Sequence, residues 1–542
     1  MTLLIALVAV VSLVLLFCAY SKWMQQYWAR QGVTQLEPRF ILGDTFPLGR
    51  GTISVKDFFL DIYQQYKPKG LKCVGIYNTH VPELVALDST LLKDIIIKDS
   101  SSFASHGVFY HDTNVLTSHL FNIEGQIWRE RRVKLTPLFT SGKVKMMFES
   151  VAGIAPGVVD VVGKSADSNT PLPVKDVLSR FSIDVILSAM FGLKCQSLYE
   201  PDNMFRAIGK EALTPNAPKM YIENLFNRNF LGKIGYQSFS EELVVTFSKV
   251  IKETTEYREM NDSQRNDFMK LMVQLKKQTS LSNNDGSNDI KKSGSYITDS
   301  EILCESFFMF LAGHETSSST STFALFCLAQ DPEIQEKLRT EIKDVLKKHN
   351  GKFTYDALME MEYLDKVVRE TFRIYPVVPV IPRRCTKDYK VNNTNIVIEK
   401  GTKIYIPVIG VHLDPEFYPD PLRFNPENFS IENRAKRPEV AWMPFGEGPR
   451  LCIGKSLKVL FELQTLELAL MYIILTIIKY SPYIVFAWMR LGYLQIKVPL
   501  VALLLKYKFT LNKVMQPPFI AEAGTVVYMF KQPILLDVTR IN

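Results

Sequence analysis

Apolar positions along this chain fall mostly into long runs with helical spacing, and only rarely into alternating ones. Residues 2–20 carry no charged side chain, long enough to span a bilayer as a helix at about 1.5 Å of rise per residue. Strand-like runs are short and sit near residues 72–78, 81–87, 396–398 and 404–407. A polar stretch, residues 278–295, interrupts the middle; it is too poor in apolar side chains to order itself, so a flexible surface loop is expected. Thr298 and Glu301 then form a capping-box pair at the start of a long apolar helix that runs to about Ala329. Asp331-Pro332 ends it and opens the next helix, where proline is tolerated in the first turn. The pattern predicts a mainly α protein with small β-sheets, of the α+β class.

Composition adds bounds. With 47% hydrophobic and 22% charged residues the chain is ordinary globular material with a large core, and no Pro/Gly/Ser-rich linker divides it. The net charge of +8 is modest for 542 residues; it fits a basic face for an acidic partner or anionic lipid and argues against nucleic acid. Seven scattered cysteines without a C-x-x-C pair indicate neither a disulfide scaffold nor a zinc site, and so a reducing, cytosol-facing compartment. No Lys or Arg precedes the first apolar run, whereas Lys22 and Arg30 follow it, with Trp23, Tyr27 and Trp28 at the boundary. That asymmetry favours an uncleaved anchor over a signal peptide, with the bulk of the chain cytosolic. The expected organisation is an anchor at residues 1–21, a linker at 22–40 and one domain at 41–542.

Four motifs carry chemistry. Phe445 to Gly454 reads FGEGPRLCIG and fits F-x-x-G-x-R-x-C-x-G through Phe445, Gly448, Arg450, Cys452 and Gly454. These residue types suit a thiolate ligand to haem iron: an anionic sulfur, glycines that let backbone approach, and a cation nearby. The competing reading is a buried structural cysteine in a tight turn. In the long helix, Ala312-Gly313-His314-Glu315-Thr316 places an acid beside a threonine on an apolar background. That is either a buried proton relay or a Ser/Thr-rich helix bonding to its own carbonyls. Glu370 and Arg373 share a helix face as E-x-x-R, and Arg383 follows an extended, proline-rich segment from which it could reach a carboxylate. Trp128 and Arg132, four apart, are donors without acceptor capacity and suit a buried propionate. Arg129, Arg131 and Lys134 between and after them read as a solvated basic face.

Along the chain these four motifs run W-x-x-x-R, A-G-x-E-T, E-x-x-R and the cysteine decapeptide, and in that order they resemble the cytochrome P-450 family, the haem-thiolate monooxygenases of the microsomal, membrane-anchored kind. The wording around them (ITDSEI, FLAGHETSS, DPEIQEKL, YLDKVVRETFRIYP) resembles the insect xenobiotic-metabolising branch. The resemblance implies haem b held between the long helix and the cysteine loop, with O2 as co-substrate. Cys452 would be the axial thiolate, and Thr316 and Glu315 would deliver protons. Trp128, Arg132, Arg383 and Arg450, with Phe445 and Gly446 of the loop, would hold the haem; Glu370 and Arg373 would be structural. Electrons would come from NADPH through a flavin reductase, with cytochrome b5 as a further donor, at a basic face including Arg131 and Lys134. The substrate would be a hydrophobic small molecule touching residues 109–121, 308–312 and 377–380, and the location the endoplasmic reticulum membrane, with the catalytic domain cytosolic.

The chain departs from the family text twice. In the P-x-R-F element it reads Pro426-Glu427-Asn428-Phe429, and Asn428 cannot make a bidentate ion pair with Glu370. After Gly454 the expected M-R-L-G-x-x-Q-x-K helix resumes only at Met489, so the 34 residues 455–488 have no counterpart. They are read as a second membrane contact, as an insertion on the haem's cysteine side, or as translated intron. The last reading is favoured, because Gly454-Lys455-Ser456 can be encoded with a GTAAGT splice donor and removing the tract restores the family text. A tract displacing the helix behind Cys452 would leave a catalytically impaired, haem-poor membrane protein.

Overall fold

The computed structural model describes residues 1–139, 141–214, 219, 222–223, 226, 228–261, 265, 267–284, 297–452 and 487–541. The first apolar run is helix α1 (Thr2–Met24), whose side chains are exposed along nearly all its length. Residues 22–40, expected as a linker, pack onto the body of the protein. Trp28 is fully buried against Gly75, where an added Cβ would lie 2.3 Å from the indole ring. Gln25 Nε2 donates to Thr79 O at 2.9 Å.

Trp28 lies on the core of a four-stranded sheet made of β1 (Cys73–Asn78), β2 (Val81–Ala86), β3 (Ile381–Arg384) and β4 (Lys403–Ile406), in the order β1-β2-β4-β3. Only the β2–β4 pair is parallel. β3 was legible only as an extended segment, since Pro382 suits an edge strand and removes the usual signal. Its alternation buries Ile381 and Arg383 and leaves Pro382 and Arg384 half-exposed. A second antiparallel sheet pairs Tyr507–Leu511 with Leu535–Arg540, and Leu172–Pro173 with the latter.

The larger core is helical. It is formed by α2 (Gly125–Leu135), α3 (Ser141–Ser168), α4 (Val174–Ile186), α5 (Asp299–Gln330), α6 (Glu362–Ile374) and α7 (Ala487–Leu504). α5 is the axis: α4 and α7 pack along it, and α7 also packs on α3. Its capping box is present, and Asp331 caps the next helix by accepting from Ile334 N. One expectation is corrected. The polar stretch begins as helix, because Phe268–Asn284 continues through its first seven positions, anchored by buried Phe268, Met269, Met272 and Val273. The rest of the stretch, residues 285–295, and residues 455–486 of the apolar tract lie outside the described residues.

Candidate active site

The cysteine loop is shaped by glycines and by α6. Gly446 and Gly448 both have φ +71°, and a Cβ on Gly448 would lie 1.9 Å from Ile96 O, so no other residue fits there. Phe445 O accepts from Cys452 N at 3.0 Å, which closes the turn. Buried His412 fixes its approach, accepting from Met443 N at 2.9 Å; burial, with Arg373 nearby, pushes this imidazole down to about 3, keeping it neutral. The Phe445 ring packs 4.9 Å from Phe372 of α6 and 6.0 Å from Tyr493 of α7. Thus α7 returns beneath the loop despite the tract that precedes it.

Beside this loop the structure gathers most of the residues expected to hold haem. Arg450 donates to the carbonyls of Ala104 at 2.5 Å and Ile123 at 2.9 Å, and its guanidinium sits 3.9 Å from the Trp128 ring centre. Arg132 lies 5.8 Å from the same ring; burial lowers its guanidinium and the charge of Cys452 raises it, which places that sulfur in its field. Arg383 is 2% exposed, yet its one side-chain hydrogen bond among the described residues is to Pro382 O. A Cβ on Gly446 would lie 3.9 Å from Arg383. Burial pushes Arg383 down to about 10, and burial followed by Arg383 itself pushes Arg450 down to about 9.

A further member was missed by sequence reasoning. His106 is buried and stacks 4.2 Å from Phe121. Burial, then Arg383, Arg450 and Arg132, holds it well below its usual range. No local motif marks this histidine; only the fold brings it to the arginines.

Among the described residues none of Arg132, Arg383 and Arg450 makes an ion pair. Glu124, whose charge raises Arg450, is engaged by Arg384 at 3.6 Å. Buried cations without anions are unstable unless a ligand neutralises them. Arginine forks beside an indole suit two carboxylates, and a cysteine sulfur lies in the same field. The donor set therefore fits a haem with two propionates and a thiolate.

Within α5 the buried surface is interrupted by half-exposed Phe308, Leu311, Ala312 and Thr316, spaced i, i+3, i+4, i+8 on one face. Phe308 stacks 6.0 Å from Phe121, connecting this stripe to His106 and the arginines. Thr316 Oγ1 donates to Ala312 O at 2.8 Å, so its hydroxyl keeps acceptor capacity on the open face. Glu315 is buried on another face, where Lys175 of α4 holds it at 2.7 Å. The Ser/Thr back-bonding also occurs: Thr320, Ser321 and Thr322 each donate to the carbonyl four residues earlier.

Glu370 and Arg373 are fully buried and form a two-bond pair, both at 2.7 Å. Asn428 joins them, donating to Glu370 Oε1 at 3.0 Å. The expectation for Arg131 is corrected. It is not solvated: it points into the protein, to Glu301 at 2.5 Å and Glu305 at 2.8 Å. Glu305, on the buried side of α5, needs a counter-charge, and that decides the rotamer. Arg131 is thereby removed from any docking face, whereas Arg129 is exposed.

Comparison with known proteins gives the family. The family model described as "Cytochrome P450" matches residues 36–462. Cytochrome P450 6A1 of Musca domestica is 39% identical over 460 residues, covering 83% of this chain and 87% of that protein. Cytochrome P450 6a8 of Drosophila melanogaster is 36% identical over 449 residues, 82% and 87%. Probable cytochrome P450 6a13 of the same fly is 35% identical over 515 residues, 94% of each. The fold, the motif order and the haem-fitting cluster agree with these matches, and the chain belongs to the cytochrome P-450 family, monooxygenases that hold haem iron through a cysteine thiolate and use dioxygen.

Proposed function

We propose that the chain inserts one oxygen atom from dioxygen into a hydrophobic small molecule at this site, with Cys452 as the iron ligand. The observation that carries the reading is the buried cluster of Arg132, Arg383 and Arg450 beside the Cys452 loop, a charge arrangement that a dianionic thiolate-bound haem completes. Haem, when bound, supplies the iron that activates dioxygen. Trp128, Arg132, Arg383 and Arg450 orient it through its propionates. Phe308, Leu311 and Ala312 offer an apolar wall to the substrate and exclude water from it. Thr316 holds a hydroxyl on that wall, and Glu315, one residue away, takes protons from the solvent side.

Electrons come from NADPH through a flavin reductase, with cytochrome b5 as a second donor, at a basic face that includes exposed Arg129. Helix α1 anchors the protein in the endoplasmic reticulum membrane, its N-terminus lumenal and the domain of residues 41–542 cytosolic. Reconstituted with a flavin reductase, NADPH and apolar test compounds, the haem-loaded protein should yield products bearing one atom of isotopically labelled dioxygen. Product whose oxygen comes from water, or no product from haem-loaded protein, overturns the reading.

The tract 455–488 begins three residues after Cys452, and the family match ends inside it, at residue 462. We read it as retained intron; finding its 34 codons in abundant transcript contradicts that. The same position supports the second reading, a haem-poor membrane protein whenever the tract is translated.

A further inference from the structure

Glu315 is bound from outside its own helix. Its Oε1 accepts from Lys175 Nζ at 2.7 Å and from Ser319 Oγ at 3.0 Å. Lys175 stands at the start of α4, and its remaining donors go to Ser318 Oγ at 2.8 Å and Ser319 Oγ at 2.9 Å. All three donors of the ammonium are thus used. Side-chain exposure is 9% for Glu315 and 28% for Lys175, so the lysine is the end of this cluster that meets water. On α5 itself, His314 is buried, stacked 4.7 Å from Phe310 and bonded through Nδ1 to Phe310 O; burial lowers it, against the opposing charge of Glu315.

We propose that Lys175 is the positioning residue of the proton relay, holding the Glu315 carboxylate at the solvent end so that protons enter through the Lys175–Ser318–Ser319 cluster and pass inward to the Thr316 face. The proposal rests on Glu315 acting in the relay. A carboxylate this deeply buried would by itself become neutral and lose its ability to accept a proton. Burial does push Glu315 up, but Lys175, then His314 and Ser319, bring it below its ordinary range. The serines add hydroxyls that both donate and accept, which a proton path needs and an ion pair alone does not.

The test compares Lys175→Met, Lys175→Arg, Glu315→Gln and the Lys175→Met/Glu315→Gln double variant in the full-length protein. At neutral pH, infrared spectra should show a new protonated-carboxyl band in Lys175→Met that is absent from the parent and the double variant. This readout needs no turnover. In haem-loaded protein, product formed per NADPH should fall by about tenfold in Lys175→Met, below the roughly 10²–10⁴-fold a whole proton-transfer group supplies. The solvent isotope effect should rise, and Lys175→Arg should restore much of the coupling. A Lys175→Met protein with no new band, or with parental coupling, overturns the proposal. If Glu315→Gln itself leaves coupling unchanged, the relay reading fails instead, whatever Lys175 does.

Discussion

Arg450 lays its guanidinium 3.9 Å from the centre of the Trp128 ring, so the cysteine decapeptide and the W-x-x-x-R helix meet directly although more than three hundred residues separate them. A desolvated contact of this kind contributes about 2 kcal/mol. It also fixes Arg450 between the carbonyls of Ala104 and Ile123. Arg450 is thereby held in place by the protein's own carbonyls, the preorganisation a cofactor site requires.

Arg383 gives this cluster opposite effects with and without haem. Buried with a single carbonyl acceptor among the described residues, it strains the haem-free protein and serves the haem-bound one. Arg383→Met should raise haem-free thermal stability, by about 1–3 kcal/mol, and weaken haem retention by about 2–5 kcal/mol. Thermal denaturation and haem transfer to apomyoglobin measure the two; changes of the same sign would contradict the assignment.

The Glu370–Arg373 pair shows why Asn428 is tolerated. The arginine also donates to the carbonyls of Pro421 at 2.6 Å and Arg423 at 3.0 Å, so the network closes without a second arginine. Arg373→Met should cost about 3–5 kcal/mol by leaving Glu370 buried alone. Asn428→Ala should cost about 1–3 kcal/mol, measured by urea denaturation.

Arg131 separates structural from docking charge on one helix. Arg131→Ala leaves Glu305, which is 0% exposed, without its cation, and should lower stability by about 3–5 kcal/mol. Arg129→Ala should stay within about 0.5 kcal/mol of the parent while weakening reductase association in a salt-dependent way. Equal stability losses in the two variants would contradict the geometry.

Asp365 makes a pH prediction. It pairs with Lys497 of α7 at 3.1 Å and with Arg369 at 2.5 Å. Burial would raise its carboxyl, but Lys497 and then Arg369 hold it well below the ordinary range. A depressed acid stabilises the fold above its unfolded pKa, about 3.9, and that contribution is lost as pH falls through the folded value. Asp365→Asn should therefore cost about 1–3 kcal/mol at neutral pH, the carboxylate being a third exposed, with the difference from the parent closing only in acid. A constant difference down to the acid transition would show that the pair carries no such linkage.

Much of this was legible in the sequence where one motif carries one helix or turn. The capping box of α5, the E-x-x-R pair and the glycine-shaped cysteine loop are local, and the residues that form them are contiguous. Arg131 was misread because i,i+4 spacing on α2 does not say which face meets Glu305 of α5. His106 and Lys175 were missed for the same reason: each acts only through partners from distant segments. The edge strand that turns Arg383 inward was hidden by Pro382, and the helix running into the polar stretch was carried by apolar residues before it.

The central claim is that Cys452 binds haem iron as a thiolate in the cradle of Trp128, Arg132, Arg383 and Arg450. The reduced carbon-monoxide difference spectrum reads that bond directly, on the full-length protein and on the chain lacking residues 455–488. The shortened chain should show the thiolate-type Soret band, and its Cys452→Ala variant should lose it. A band that survives Cys452→Ala, or haem bound by the shortened chain with no thiolate-type band, would contradict the account.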